Sequence, residues 1–162
     1  PDMVAEAMAK ISEITGRTYK PFTYYGAEDA EHVIVAMGSV NETIKECIDY
    51  LATQGKKVGL VKIRSIRPFP AEEIANALRN VKSFAVMDKA DSFNGHCGPM
   101  GAEVAAAMYA NKVTEPKMIN YIYGLGGRDV RVESIEHVFA ELEKITATGE
   151  TGETYRYLEV RE

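Results

Sequence analysis

The sequence has few of the residues that build disulfide and metal sites. It contains no tryptophan and two cysteines, Cys47 and Cys97. Two cysteines are too few for a disulfide framework, for an iron–sulfur cluster held by four thiolates or for a zinc ribbon. These classes are therefore excluded, and a cytoplasmic location is the default expectation.

Long apolar runs and an excess of positive charge are also missing. The longest apolar stretches have the length of a strand, whereas a membrane-spanning helix needs about 20 such residues. The formal net charge is −5, which disfavours a nucleic-acid partner because phosphate binding needs a basic face. We therefore expect neither a membrane nor a nucleic acid as partner. The sequence starts at Pro1 rather than at Met, which leads us to expect a piece of a longer chain.

The usual cofactor fingerprints are absent as well. The chain lacks the G-x-G-x-x-G of a dinucleotide fold and the G-x-x-x-x-G-K-[ST] of a P-loop. It also lacks the Gly-Asp-Gly with a following Asn that usually grips magnesium and thiamine diphosphate. The stretch GSVNET (residues 38–43) fits a capping box with Ser39 and Glu42 as its two members. Its backbone N–H groups could alternatively meet a phosphate.

A regular alternation of strand and helix patterns is what the chain does contain. Four short apolar runs, rich in β-branched residues, are typical of buried strands, and between them apolar residues recur at helical spacing. Such strands joined through helices predict a parallel sheet covered on both faces, with right-handed crossovers. The expected fold class is therefore three-layer α/β/α with a mostly parallel sheet. The four predicted strands are residues 32–37, 57–63, 83–87 and 118–123.

We divide the chain into three parts. Residues 1–31 would form an N-terminal helix and a connecting loop, and the loop assignment rests on the lack of any period in residues 17–31. Residues 32–146 would form the α/β core domain. Residues 147–162 would be a C-terminal tail, in which residues 155–160 could form an edge strand.

A glycine-rich loop is expected after the third strand. Gly95, Gly98 and Gly101 recur every third residue, which suggests that the backbone approaches a ligand or a neighbouring protein closely. Cys97 follows His96 and could be a nucleophile beside its base, but adjacent side chains rarely face each other and nothing supplies a third orienting group. We favour a tight turn at a contact surface.

Two loops that carry arginine are the remaining candidates. Arg128 and Asp129 follow a run of glycines, and they form either a self-contained ion pair or a contact to an anionic group of a ligand or partner. Arg64 and Arg67 lie in KIRSIRPFP (residues 62–70), where a strand ends in a stiff Pro-x-Pro turn. We interpret this turn as a fixed protein–protein surface rather than a substrate clamp, because arginine adds geometry to contacts with carboxylates.

The order of these stretches carries a family resemblance. VIVAMGS, a helix, GKKVGLVKIRSIRPFP, the strand end AVMDK, the glycine loop and YIYGLGGRDV together resemble the second domain of the 2-oxoacid:ferredoxin oxidoreductases, above all the pyruvate:ferredoxin oxidoreductase branch. The resemblance covers about residues 19–145, and its most specific parts are RPFP and GLGGRD. It implies a fold similar to the C-terminal domain of transketolase. It also implies that the chain is the C-terminal part of an alpha subunit.

The same resemblance implies a function for the complete enzyme. That enzyme would decarboxylate pyruvate on thiamine diphosphate with magnesium, form acetyl-CoA from coenzyme A, and pass electrons through iron–sulfur clusters to ferredoxin. Other domains or subunits would hold these cofactors, and this domain alone would bind none of them and carry no catalytic residue. Those domains or subunits would be its partners, with a homodimer contact as a further expectation. The substrate could instead be 2-oxoisovalerate or 2-oxoglutarate.

Two rival functions stay open. A coenzyme A- or nucleotide-binding α/β module would use the GSVNET and GLGGRD loops, and the isolated chain would then bind such a ligand. An independent enzyme would use His96 and Cys97, which requires a low pKa of the Cys97 thiol.

Overall fold

The computed structural model describes residues 2–93 and 95–160, so Pro1, Asn94 and the last two residues of the predicted tail lie outside the described part. Six strands and five α-helices occur in this part of the chain. The strands are β1 (Phe22–Gly26), β2 (His32–Met37), β3 (Val58–Ile63), β4 (Ser83–Asp88), β5 (Lys117–Ile122) and β6 (Tyr155–Tyr157). The helices are α1 (Asp2–Thr15), α2 (Val40–Thr53), α3 (Ala71–Leu78), α4 (Pro99–Ala110) and α5 (Val132–Thr148), with a 3-10 turn at Leu125–Gly127.

One sheet unites all six strands in the order β1-β3-β2-β4-β5-β6. Strands β2 to β6 run parallel to one another, and β1 pairs with β3 in the antiparallel direction at one edge of the sheet. Helices α2 and α5 cover one face, and α3 and α4 cover the other. The predicted three-layer α/β/α class with a mostly parallel sheet is confirmed.

Each central strand contributes to both cores. Ile34 and Ala36 of β2 face α2 and α5, whereas Val33 and Val35 face α3 and α4. All four side chains are fully buried. Because both faces of the sheet are covered, these strands are continuous apolar runs rather than alternating ones, which is why the sequence revealed them.

Residues 17–31 contain a strand where we expected a plain loop. β1 pairs with β3 over its whole length, and the Pro21 carbonyl accepts the N–H groups of Arg64 and Ser65 at 2.8 and 2.9 Å. Its sequence, FTYYG, is half-buried to exposed. An edge strand of this kind has neither an apolar run nor a clear alternation, so periodicity could not detect it.

The four crossovers do not share one hand. The connection from β2 to β3 moves toward the β1 edge of the sheet, and its helix α2 lies on one face. The connections from β3 to β4 and from β4 to β5 move toward the β6 edge, and their helices α3 and α4 lie on the other face. Because both the direction and the face are reversed, these three crossovers have the same hand. β5 to β6 also steps in that second direction, yet α5 packs beside α2. The three crossovers among the four predicted strands therefore share one hand, and only the connection to the edge strand β6 has the opposite hand. α5 crosses back to cover β4 and β2, where α2 contacts it.

Two helix starts differ from the expectation. Ser39 lies in the α-helical region and makes no capping bond through its side chain, so the predicted capping box is wrong. Asn41 acts at this end instead, because its Nδ2 donates to the Gly38 carbonyl at 2.6 Å. α4 starts at Pro99 rather than near Ala102, because proline is preset for the first turn of a helix.

The tail contains the predicted edge strand in a shortened form. Tyr155–Tyr157 forms β6, which pairs in parallel with β5. Arg156 secures this short strand with bonds to the Glu141 carboxylate at 2.9 Å and the Thr151 carbonyl at 2.6 Å. Side chains therefore hold β6 where its backbone ladder is short.

Helix α1 has one inner and one outer side. Val4, Met8 and Ser12 are half-buried, and Ser12 Oγ accepts the N–H of Tyr19 at 2.9 Å. Next to this inner side, the helix carries an apolar stripe that is exposed along its whole length. We call this the outer stripe; its residues are Met3, Ala7, Ile11 and Ile14. No helix within the described ranges is long and apolar enough to cross a membrane.

A buried histidine joins the sheet to α5. His32 Nδ1 lies 3.0 Å from Ser83 Oγ, and that hydroxyl donates to the Leu142 carbonyl at 3.0 Å. Because the single hydroxyl proton of Ser83 is engaged by Leu142, His32 Nδ1 must be the donor to Ser83. Burial lowers the pKa of His32, while the charges of Glu143 and Glu31 act less strongly in the opposite direction.

We expect His32 to make folding stability depend on pH. Its folded pKa lies below the unfolded value of about 6.5, so the unfolded chain binds a proton first as the pH falls. The free energy of unfolding should therefore decrease as the pH falls below about 6.5 and level off below the folded pKa. Urea unfolding at several pH values, comparing the unchanged chain with His32→Asn, measures this contribution.

The variant His96→Asn is the matched control because His96 is exposed. It should keep the pH dependence of the unchanged chain, whereas His32→Asn should flatten it. Equal pH dependence in all three proteins would contradict the assignment to His32.

Candidate functional site

The carboxyl ends of the parallel strands form the edge at which open α/β sheets usually bind ligands. All candidate residues lie there. Arg64 and Arg67 follow β3, the glycine loop follows β4, and Arg128 and Asp129 follow β5. The structure thus places them along one edge of the sheet, on three separate loops.

A buried carboxylate lies at the centre of this edge. Asp88, the last residue of β4, is 6% exposed. Its Oδ1 accepts the N–H of Met100 at 2.8 Å, and its Oδ2 accepts the N–H of Gly101 at 2.9 Å. These are N–H groups of the first turn of α4, whose N-cap Gly98 has no side chain. Asp88 therefore caps α4 from a neighbouring strand.

Asn120 of β5 completes the network. Its Nδ2 donates to Asp88 Oδ2 at 3.0 Å and to the Val86 carbonyl at 2.8 Å, and its Oδ1 accepts the N–H of Gly98 at 2.7 Å. Both donors and the acceptor oxygen of this buried amide are thus engaged inside the domain. Sequence reasoning missed Asp88 and Asn120, although a polar residue within the apolar run MINYI was a usable signal.

The same network explains two of the three glycines. A Cβ on Gly98 would lie 2.4 Å from Asp88 Oδ2, and a Cβ on Gly101 would lie 3.0 Å from the Asn120 amide. Their backbone approaches these two side chains of the same domain closely, and no ligand or partner is needed to account for the absence of a Cβ. Gly95 donates to Ser92 Oγ at 3.0 Å within the loop.

Cys97 does not have the character that the independent enzyme required. Partial burial and the charge of Asp88 raise the pKa of its thiol. A catalytic thiol needs a lowered pKa to form the thiolate near neutral pH. The direction of this shift disfavours the hypothesis that Cys97 is a nucleophile with His96 as its base.

The loop after β5 holds the tail. Arg128 Nη1 donates to the Glu159 carbonyl at 2.9 Å, and Ser134 Oγ donates to the Glu159 carboxylate. Within the described ranges Arg128 and Asp129 form no ion pair with each other, so the self-contained pair that we considered is wrong. The arginine instead joins two segments of the chain.

The loop after β4 also contacts the tail. The hydroxyls of Tyr155 and Tyr157 donate to the Asp91 carboxylate, the second at 2.8 Å, and the two rings meet edge to face with centroids 5.6 Å apart. These hydroxyls, and then the Ser92 N–H, lower the pKa of Asp91. Asp91 and Arg128 therefore fix the tail from two neighbouring loops.

The KIRSIRPFP turn makes contacts inside the chain. Arg64 Nη1 donates to the Thr18 carbonyl at 3.3 Å, and its guanidinium lies 5.6 Å from the centre of the Tyr19 ring. Arg67 Nη2 bonds Glu103 of α4 at 2.6 Å. The turn thus joins the segment after α1 to α4. Arg67 still has 67% of its side chain exposed.

The cavities near this turn are open grooves. One of about 520 Å³ lies along β1, and its lining includes Pro21, Phe22 and Pro70 together with the charged Lys20 and Glu73. A second, of about 330 Å³, lies between Val4 of α1 and Phe69. Within residues 2–93 and 95–160, no group of three His, Cys, Asp or Glu side chains could hold a metal ion.

This edge does not fit thiamine diphosphate with magnesium. The buried polar groups that could have met a diphosphate or its metal are those of Asp88 and Asn120, and these are bonded to each other and to backbone N–H groups. A magnesium ion needs oxygen ligands that are available to it.

Sequence comparison places the chain among domains of known oxidoreductases. The model of the family described as "Pyruvate:ferredoxin oxidoreductase core domain II" matches residues 30–135. The chain is 38% identical over 159 residues to the pyruvate synthase subunit PorA of Methanosarcina barkeri, covering 97% of this chain and 39% of that protein. It is 43% identical over 122 residues to the ketoisovalerate oxidoreductase subunit VorA of Pyrococcus furiosus, covering 75% of this chain and 30% of that protein.

Two solved structures share the fold. A split gene transketolase, described as an inactive beta4 tetramer, has a TM-score of 0.58 at 16% identity, over 80% of this chain and 43% of that one. The 2-oxoglutarate:ferredoxin oxidoreductase of Magnetococcus marinus, with 2-oxoglutarate, coenzyme A and succinyl-CoA bound, has a TM-score of 0.57 at 20% identity, over 82% and 21%. The predicted likeness to transketolase is confirmed at the level of the fold.

We expect Asp88→Asn to lower the free energy of unfolding by about 2–4 kcal/mol. An amide offers one acceptor oxygen where the carboxylate has two, so its NH₂ group would face either the N–H of Gly101 or that of Met100. Chemical unfolding followed by circular dichroism measures the loss.

Asp129→Asn is the control, because Asp129 is an exposed carboxylate on a neighbouring loop. It should change the free energy of unfolding by less than about 0.5 kcal/mol. A similarly small effect of Asp88→Asn would show that the network does not determine stability.

Proposed function

Because the chain belongs to the pyruvate:ferredoxin oxidoreductase core domain II family, we propose that it is the assembly domain of a thiamine-dependent pyruvate:ferredoxin oxidoreductase. Such an enzyme converts pyruvate and coenzyme A to acetyl-CoA and passes electrons to ferredoxin. On this proposal thiamine diphosphate, magnesium, the iron–sulfur clusters and coenzyme A are held by other domains or subunits. The cytoplasm is the expected compartment. The exposed outer stripe of α1 is the observation that carries the assembly role.

The internal use of the polar groups supports this division of labour. Asp88 and Asn120 cap α4, Arg128 holds the tail, and Arg64 holds the segment after α1. A domain that bound the reacting groups would need polar atoms directed at a ligand. The geometry therefore favours a scaffold, whose stiff edge keeps the helices in fixed positions.

If the scaffold proposal is correct, residues outside this domain determine which 2-oxoacid the enzyme accepts. The relatives include a pyruvate synthase subunit and a ketoisovalerate oxidoreductase subunit at similar identity. Such similarity across two substrates fits a domain that contacts neither substrate. Pyruvate is our first choice because the family model carries that name, and 2-oxoisovalerate is the alternative.

The outer stripe is the surface that we assign to assembly. Met3 and Ile14 are each 83% exposed, and Ile11 is 47% exposed. On a helix, residues 3, 7, 11 and 14 lie within less than a quarter of its circumference, so they form one continuous apolar surface. An apolar helix face of this kind is expected to pack against protein. The chain spans 39% of the PorA relative, so the rest of such an oxidoreductase is the occupant that we propose.

The KIRSIRPFP turn contacts the segment that holds α1 in place. Arg64 and the backbone of Ser65 bond the segment 18–21, which connects α1 to β1. Arg67 ties the same turn to α4 through Glu103. We propose that Arg64 orients α1 and that Arg67 fixes the turn on α4, and that both act through these internal contacts rather than by binding a partner.

We expect Ala7→Glu to weaken assembly strongly. Ala7 lies in the middle of the outer stripe, and a carboxylate buried there against an apolar partner surface would lose its hydration without gaining a partner charge. Co-expression of the chain with the remaining chains of the oxidoreductase, followed by affinity purification, should recover at least about tenfold less complex.

Ala9→Glu is the matched control, since Ala9 is also exposed on α1 but lies on the side away from the stripe. It introduces the same charge into the same helix and should leave recovery of the complex unchanged. Equal recovery with Ala7→Glu and Ala9→Glu would contradict docking through the outer stripe.

We further expect the chain alone to bind neither coenzyme A nor thiamine diphosphate with magnesium. Isothermal titration calorimetry with each ligand should show no binding heat, because the polar groups of the edge are engaged within the domain. A clear signal with coenzyme A would instead favour the binding module that uses the GSVNET and GLGGRD loops. It would make this edge part of the acyl-acceptor site.

A further inference from the structure

Strand β1 leaves one edge of the sheet unpaired. It bonds β3 on one side, and no strand of the described chain lies on the other. Natural sheets usually protect such an edge with charged residues, proline or a covering segment. The strand FTYYG contains neither a charged residue nor a proline. The edge is therefore able to accept another extended strand.

The ends of the β1–β3 ladder show which residues bond inward. The Ala27 N–H donates to the Val58 carbonyl at 3.1 Å, and the Arg64 N–H donates to the Pro21 carbonyl at 2.8 Å. Bonded positions alternate along an antiparallel strand. The residues at odd positions from 21 to 27 therefore direct their backbone groups to β3.

The residues at even positions face outward for the same reason. Phe22, Tyr24 and Gly26 occupy the non-bonded positions opposite β3, so their N–H and C=O groups point away from the sheet. Tyr24 is the middle residue of the three. An incoming antiparallel strand centred on Tyr24 would meet a full set of donors and acceptors.

We propose that β1 pairs with β1 of a second copy of this chain across a two-fold axis at Tyr24, joining two sheets into one. The inference does not depend on the proposed function. Two-fold pairing of identical strands is antiparallel, so it places Tyr24 opposite itself and Phe22 opposite Gly26 of the other copy. Each of these positions offers outward backbone groups to the other.

The charges that flank β1 fit this arrangement. Lys20 and Glu28 each lie four positions from Tyr24 along the chain, one on either side. The two-fold axis would bring Lys20 of each copy to the end of the strand where Glu28 of the other begins. Both residues are exposed, and within the described ranges neither has an ion-pair partner. The edge is therefore self-complementary in charge as well as in hydrogen bonding.

Grooves on both faces of β1 would receive the side chains of the second strand. The groove of about 520 Å³ lies on the α3 side, and another of about 590 Å³ lies on the α2 side beside Tyr25 and Ala52. Alternate side chains of an added strand point to opposite faces. Strand addition typically combines main-chain bonds with pockets of this kind.

Sedimentation equilibrium of the 162-residue chain tests the proposal. We expect a concentration-dependent dimer. Tyr24→Pro should shift the chain to monomer, because proline removes an outward N–H while leaving the bonds to β3 in place. Ala7→Glu on α1 is the control and should leave the dimer intact. A monomer at all concentrations, or a dimer that Ala7→Glu dissociates while Tyr24→Pro does not, would overturn the proposal.

Charge reversal tests the register and does not depend on the backbone change. Lys20→Glu and Glu28→Lys should each weaken the dimer about five- to tenfold, because each replaces two exposed attractions by two repulsions. The double variant should restore the dissociation constant of the unchanged chain, since every opposite-charge pair is regained. A double variant no tighter than the two single ones would exclude this register and overturn the proposal.

Discussion

The arrangement of this domain depends on one buried carboxylate. Asp88 ends the central strand β4 and bonds two N–H groups of α4, while Asn120 links it to the next strand. The helix thereby obtains its N-terminal cap from the sheet rather than from its own residues. The same contact fixes the glycine loop, the start of α4 and the spacing of β4 and β5. An acidic side chain at the carboxyl edge is here a structural element, although its position would suit a ligand.

Much of the fold could be predicted from the sequence, and the misses have physical reasons. Strands buried on both faces are continuous apolar runs, so four were recognised. β1 was missed because an edge strand with two tyrosines lacks both an apolar run and a clear alternation. The hand of the last crossover depends on α5 packing beside α2, which is a contact between distant segments that no local pattern encodes.

The candidate site was predicted in position but not in role. The loops after β3, β4 and β5 do meet at one edge, as the parallel topology requires. Sequence alone could not show that Gly98 and Gly101 face Asp88 and Asn120, because these partners lie up to 22 residues away. Nor could it show that Arg128 bonds the Glu159 carbonyl. Local patterns identify glycines that need a close backbone approach and charged residues that need a bonding partner. Which residues they approach or bond is determined by the tertiary structure.

The contacts of the tail have a consequence for the order of folding. Glu159 and the tyrosines of β6 follow every strand of the core in the chain, yet they bond the loops after β4 and β5. During synthesis the ribosome releases the core before these contacts can form. The bonds from the tail to these two loops can therefore form only after residues 88–120, which contain the Asp88 network, have been synthesised. A partner that contacts these two loops at the positions taken by the tail would have to bind in that interval.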